Sequence, residues 1–209
     1  MGKAKRKWSA FMENIKQYPD TISPDFSARD MLPGVDELIA RRWSPRAFAK
    51  TEIAEADVKT LFEAARWAPS CFNEQPWRFY VSTDENFDDF LGLLLDGNQA
   101  WAKNASLLGF VVVKKTFTSN GKPNAYAEFD AGAAWMAMTL QARQMGLYTH
   151  GMGGIKHDEV ARYLKLDDDY KVVCGLAIGV AAEPSVLPEE VAAKEKPSPR
   201  KPLSEVVIR

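Results

Sequence analysis

Apolar residues recur along this chain in two rhythms, and each marks a different kind of element. Trp8, Phe11, Met12 and Ile15 follow the i, i+3, i+4, i+7 spacing of one helical face, which stops near Tyr18 and Pro19. "VDELIARR", ending at Arg42, reads as a short helix running into Trp43. Val58, Leu61, Phe62 and Ala65 mark another helical face over residues 53–67, closed by Pro69. The second rhythm is that of strands. "WRFYVS" (77–82) and "LLGFVVVK" (107–114) are short runs rich in aromatic and β-branched residues, and the second is apolar enough for a central strand. The sheet is expected to begin with the first of them. "YKVVCGLAIGV" (170–180) predicts another buried strand, and "LSEVVI" (203–208) is a candidate for a terminal one. Between them, "FDAGAAWMAMTLQARQM" (129–145) is apolar on most sides, as a helix is when protein surrounds it, so it predicts a central or interface helix. "HDEVARYLKL" (157–166) is a shorter amphipathic helix, and the Pro- and Lys-rich residues 184–202 form a long surface connection. Helices and strands are mixed, and no internal repeat is present.

At 209 residues the chain suits one compact core. Its 27 basic residues against 28 acidic ones give no overall field that would steer it to nucleic acid or to a membrane surface, so any anion site must be local. The longest apolar runs, 172–182 and 105–113, fall short of the roughly 18 residues that span a bilayer. The start, "MGKAKRKW", is basic but lacks the apolar stretch of a signal peptide, which makes the cytoplasm the expected address. Cys71 and Cys174 are too few for a disulfide framework and are read as free thiols. With only His150 and His157 as histidines, no metal site is expected. His150 reads as a structural histidine or as one facing a substrate.

Three stretches carry candidate chemistry. In "RRWSPRAF" (41–48), Pro45 disfavours helical backbone at Ser44, so the segment is extended and Arg42, Ser44 and Arg46 share a face. Two guanidinium forks and a hydroxyl match the oxygens of a phosphate monoester, although a solvated arginine-rich turn has the same composition. "APSCFNEQPWRF" (68–79) links a helix end to a strand through a loop bearing Ser70, Asn73 and Gln75; the two amides both donate and accept, which suits the pyrimidine edge of a flavin, although a helix stop made of turn formers has a similar composition. "GMGG" (151–154) lacks the dinucleotide fingerprint, and no obvious strand precedes it. It is either a plain turn or a place where backbone N–H groups approach a flat ligand.

"RRWSPRAF", "ARWAPSCFNEQPWRF" and a glycine-bearing turn before a helix and a strand ending in "AIG" together resemble the nitroreductase family. The resemblance covers residues 35–209, with "APS..N.QPW" its most specific block, and leaves 1–34 as an N-terminal arm. It implies an α+β fold with a central, mostly antiparallel sheet flanked by helices, an intertwined homodimer, and flavin mononucleotide (FMN) at the subunit interface. By the resemblance, Arg42, Trp43, Ser44, Arg46 and Arg200 bind the phosphate and ribityl end, while Pro69, Ser70, Cys71 and Asn73 come from the other subunit to line the isoalloxazine. Asn98 and Gln75 are carried over as ring contacts, and Gly153 and Gly154 as the turn facing the reactive flavin nitrogen.

The resemblance implies hydride transfer from NADH or NADPH, through the flavin, to a small acceptor such as a nitroaromatic, a quinone or an activated alkene. No side chain is assigned as catalytic. A flavin-dependent dehydrogenase or oxidase, and a non-catalytic flavin-binding or sensing protein, are the alternatives. Three departures bear on this. Ser198 stands where many members have a basic residue two positions before the equivalent of Arg200, leaving Lys196 or Lys201 to compensate. Only residues 116–128 occupy the place of a long helical insertion that shapes the substrate pocket. Gly153 replaces an acidic residue common in the turn.

Overall fold

The structure, a computed structural model, describes residues 18–209. The helix expected on Trp8, Phe11, Met12 and Ile15 lies outside the described residues. Five strands form one sheet: β1 (Phe48–Ala49), β2 (Trp77–Val81), β3 (Leu107–Lys114), β4 (Tyr148–Met152) and β5 (Tyr170–Ala181). All pairings are antiparallel. β5 is the spine: β3 lies along it from Leu107↔Ile178 to Lys114↔Tyr170, and β2 pairs with β3 in turn. β4 pairs with β5 from Tyr148↔Gly179 to Met152↔Gly175, and β1 takes the next positions, Ala49↔Val180 and Phe48↔Ala181.

The continuous apolar run of β3 follows from burial on both faces. Phe110 and Val112 enter one core with Phe90, Leu94 and Trp101, whereas Val111 and Val113 enter a second with Leu61 and Met138. The first core is closed by α3 (Phe87–Gly92), α4 (Asp96–Ala102) and α6 (His157–Tyr163). The second is closed by α2 (Glu55–Arg66) and α5 (Ala127–Gln144), which buries Ala127, Ala131, Ala134, Met138 and Ala142. The result is the α+β arrangement with a central antiparallel sheet. α1 (Glu37–Arg41) precedes the sheet, capped by Asp36, whose carboxylate accepts from the Leu38 N–H at 2.8 Å.

Three expectations are corrected. The sheet begins at β1, ahead of residue 77. A strand, β4, does precede the glycine turn. Residues 203–208 do not form a strand: after α7 (Glu189–Ala192), the chain ends in α8 (Leu203–Val206), started by Pro202 in extended backbone. Among the described residues no sheet edge pairs with that segment, so its β-branched residues have no ladder to join there.

Tyr18 fastens the start of the described chain to the second core. Its N–H donates to the Met145 carbonyl at 2.7 Å, and its hydroxyl donates to the buried Asp57 at 2.6 Å while accepting from the Ala54 N–H at 3.1 Å. Burial and the Asp57 carboxylate push the phenol up to about 12. Gly146, which ends α5 at φ +86°, lies so close to Tyr18 that a Cβ there would stand 1.9 Å from the Tyr18 carbonyl oxygen. Two residues on, Asp20 accepts from the Tyr148 hydroxyl at 2.7 Å and from Arg143 at 2.6 Å, so this segment also holds β4.

Candidate functional site

α1 stops at Arg42, whose backbone is extended at φ −67° and ψ 125°. From there the chain runs straight into β1, with Trp43, Pro45 and Ala47 buried and Arg42, Ser44 and Arg46 alternating with them. These last three side chains, with Trp43 and Arg200, line one cavity of about 240 Å³. Arg42 Nη1 donates to Ser44 Oγ at 3.4 Å. His150, from β4, closes the cavity. Its ring lies 2.9 Å through Nδ1 from the Pro45 carbonyl, an acceptor, so Nδ1 carries the proton. Burial holds the imidazole down at about 4, leaving it neutral near pH 7, and its ring centroid lies 4.7 Å from that of Trp101.

The cavity is strongly cationic. Arg29, Lys194 and Lys196 line it as well. Burial first, and then the neighbouring Arg200 charge, lower the pKa of Arg42; Arg29 is lowered by burial and by both Arg200 and Arg42. Guanidinium groups crowded to that degree fit a multiply charged anion. A buried carboxylate close by, Glu195, is held by the backbone: Oε1 accepts from the N–H groups of Arg46 at 2.6 Å and Ala47 at 2.8 Å, while Oε2 lies 4.0 Å from the Arg46 guanidinium and the side chain is 2% exposed. Of the residues expected to compensate for Ser198, Lys196 lies in the cavity, whereas Lys201 faces Glu205 at 3.8 Å.

β4 carries the chain from His150 to the glycine turn, about 10 Å along the strand for three residues. There Asn98, on α4, donates from Nδ2 to the Gly154 carbonyl at 2.9 Å, and the Leu95 N–H donates to the same oxygen at 3.0 Å. A Cβ on Gly154 would stand 2.7 Å from that Asn98 nitrogen, so a larger residue there would push the Asn98 amide aside. Gly153 is exposed, with open space where a Cβ would be.

Pro69, Ser70, Cys71, Asn73 and Gln75 form a separate cluster that does not line the basic cavity. Cys71–Asn73 is a single 3₁₀ turn; Phe72 and Asn73 within it, and Gln75 two residues after it, adopt φ of 51°, 56° and 50°. Left-handed backbone in three non-glycine residues stores strain that surrounding bonds must hold. Ser70 Oγ accepts from the Gln75 N–H at 3.0 Å, and the buried Asp130 of α5 accepts from the Cys71 N–H at 3.1 Å. Gln75 Nε2 donates to the Asn73 carbonyl and to Asn73 Oδ1. Asn73 Nδ2 and Gln75 Oε1, one donor and one acceptor, are left without partners among the described residues.

Sequence reasoning missed Arg29, Lys194, Glu195 and Asp130. The first three come to Arg42 and Arg46 from distant parts of the chain, and no local spacing announces them. A lone Asp inside the apolar "FDAGAAW" was the one available signal for Asp130.

Comparison with known proteins identifies the family and the fold. The sequence model described as Nitroreductase family matches residues 39–99 and 88–180. A 4-nitrobenzoate reductase from Pseudomonas putida is 25% identical over 194 residues, covering 71% of this chain and 86% of that protein. A crystal structure described as an oxidoreductase containing FMN is 41% identical, with a TM-score of 0.84 over 90% of this chain and 97% of its own. A protein from Desulfovibrio desulfuricans solved in complex with FMN, 24% identical, shares the fold at a TM-score of 0.68 over 86% of this chain and 98% of its own. The fold and the matched residues agree: the chain belongs to the nitroreductase family.

Proposed function

We propose that this chain is an FMN-dependent oxidoreductase that moves electrons from NADH or NADPH to a small acceptor such as a nitroaromatic, a quinone or an activated alkene. The observation that carries the reading is the cavity in which Arg42, Ser44, Arg46 and Arg200 converge among further cations, a donor set suited to a terminal phosphate. Bound there, FMN supplies the hydride and electron chemistry. The chain's own residues bind and orient. Arg42, Arg46 and Arg200 hold the phosphate, with Trp43 and Ser44 beside them. Gly153 leaves room for a flat ring, Gly154 lets the Asn98 amide pack against the turn, and Asn98 fixes that turn while offering Oδ1.

The Pro69–Gln75 loop lies outside this cavity, so in this reading its Asn73 and Gln75 amides serve the ring bound by a second copy. Trp67, Phe72 and Phe129 are 74%, 90% and 79% exposed around that loop, and a homodimer would cover them. No helix among the described residues is long and apolar enough to cross a membrane, and we place the enzyme in the cytoplasm.

The test is anaerobic mixing of the flavin-loaded protein with NADH and, separately, with NADPH. Rapid loss of flavin absorbance with at least one donor is expected. A spectrum unmoved by either would contradict a reductase and leave a flavin-binding protein or a flavin-dependent oxidase, which turnover without a nicotinamide donor would reveal.

A further inference from the structure

Arg29 lies outside the residues matched by the family model, in a segment without regular secondary structure, yet it touches both walls of the basic cavity. Its Nη1 donates to the carbonyls of Ala40 and, at 3.0 Å, of Arg42; its Nε donates to the Ser198 carbonyl at 3.1 Å. The first two acceptors belong to the junction between α1 and the extended segment, and the third stands two residues before Arg200. A planar fork can reach such separated acceptors at once, whereas an ammonium is a point charge. Nη2 carries no hydrogen bond among the described residues.

We propose that Arg29 is a positioning residue that clips the C-terminal segment to the Arg42 backbone and so sets Arg42 and Arg200 on either side of an anion. The inference rests on the reading that this cavity takes the phosphate of FMN. Without an anion, Arg29, Arg42 and Arg200 repel one another, and the clip works against that repulsion. Phosphate binding and docking of residues 194–200 are therefore linked, each favouring the other.

The experiment compares wild type, Arg29→Ala and Arg29→Lys in FMN and riboflavin binding, by flavin fluorescence, and in amide hydrogen exchange at residues 194–200 with and without FMN. In Arg29→Ala, FMN affinity is expected to fall about tenfold, the equivalent of one charge-assisted hydrogen bond, with riboflavin affinity little changed. FMN-dependent protection of residues 194–200 is expected to be lost. Arg29→Lys restores charge but not the fork and should leave both losses in place. The proposal is overturned if Arg29→Ala matches wild type in affinity and protection, or if lysine restores both. If wild type binds neither flavin, the cofactor reading fails. The clip is then judged alone by exchange at residues 194–200 in the ligand-free proteins: faster exchange in both variants supports it, and unchanged exchange overturns it.

Discussion

Replacing Arg42 and Arg46 together with alanine is expected to weaken FMN binding by about 100- to 1000-fold, the loss of two charge-assisted interactions with a phosphate. Burial and the repulsion of Arg200 both act against the charge of Arg42, so it stands to gain from an anion. Arg46 is anchored differently: its backbone N–H is fixed by Glu195, and its guanidinium approaches the same carboxylate only to 4.0 Å, leaving it able to turn toward a ligand. Two controls separate binding from folding. Riboflavin lacks the phosphate, so its affinity should barely change. The ligand-free double variant should still fold, because removing Arg42 relieves its repulsion of Arg29 and Arg200, and Glu195, though it loses the Arg46 guanidinium, keeps its two backbone N–H bonds. Equilibrium titration of flavin-stripped protein reads all of this. Unchanged FMN affinity in the double variant would remove these residues from the phosphate site.

The second large effect concerns the scaffold. Gly146→Ala is expected to destabilise the protein by about 3 kcal/mol or more, from the left-handed backbone at φ +86° together with the collision with Tyr18. The nearest obstacles to the new methyl are the Tyr18 carbonyl oxygen at 1.9 Å and its carbon at 2.8 Å, which are backbone and cannot turn aside. Relief requires Tyr18 to leave, and with it the bonds to Met145, Asp57 and Ala54, which strands a buried carboxylate. For a chain of this size the shift in Tm is about 6–12 °C. Gly92→Ala is the control. It meets nothing within 4 Å, has ordinary backbone, and should change stability by no more than about 0.5 kcal/mol. Equal melting of the two variants would mean that Tyr18 is not fastened as described.

How much of this was legible in the sequence depended on what each element buries. β3 could be read because both faces enter a core, so that its composition is uninterrupted. β4 could not: "YTHGM" buries Tyr148, Thr149 and Met152, but Thr149 is satisfied by a hydroxyl pair with Thr139 of α5 at 2.7 Å, a contact that hydropathy does not register. α3 and α4 are too short to establish a helical period. The terminal segment misled through its β-branched residues, since whether they pair depends on a free neighbouring edge. The same division holds at the site. Pro45 makes the side-by-side placement of Arg42, Ser44 and Arg46 a local matter, and the sequence could state it. Arg29 and Glu195 act through backbone groups of Arg42, Arg46 and Ala47, which only tertiary contact brings within reach.

The reading stands or falls on whether a flavin with a terminal phosphate occupies the basic cavity. The most direct measurement is the visible spectrum of the purified full chain, followed by acid release and identification of its chromophore. The account predicts a yellow protein whose released flavin is the mononucleotide, and which after stripping takes up FMN in clear preference to riboflavin. A colourless protein that takes up no added FMN would contradict it.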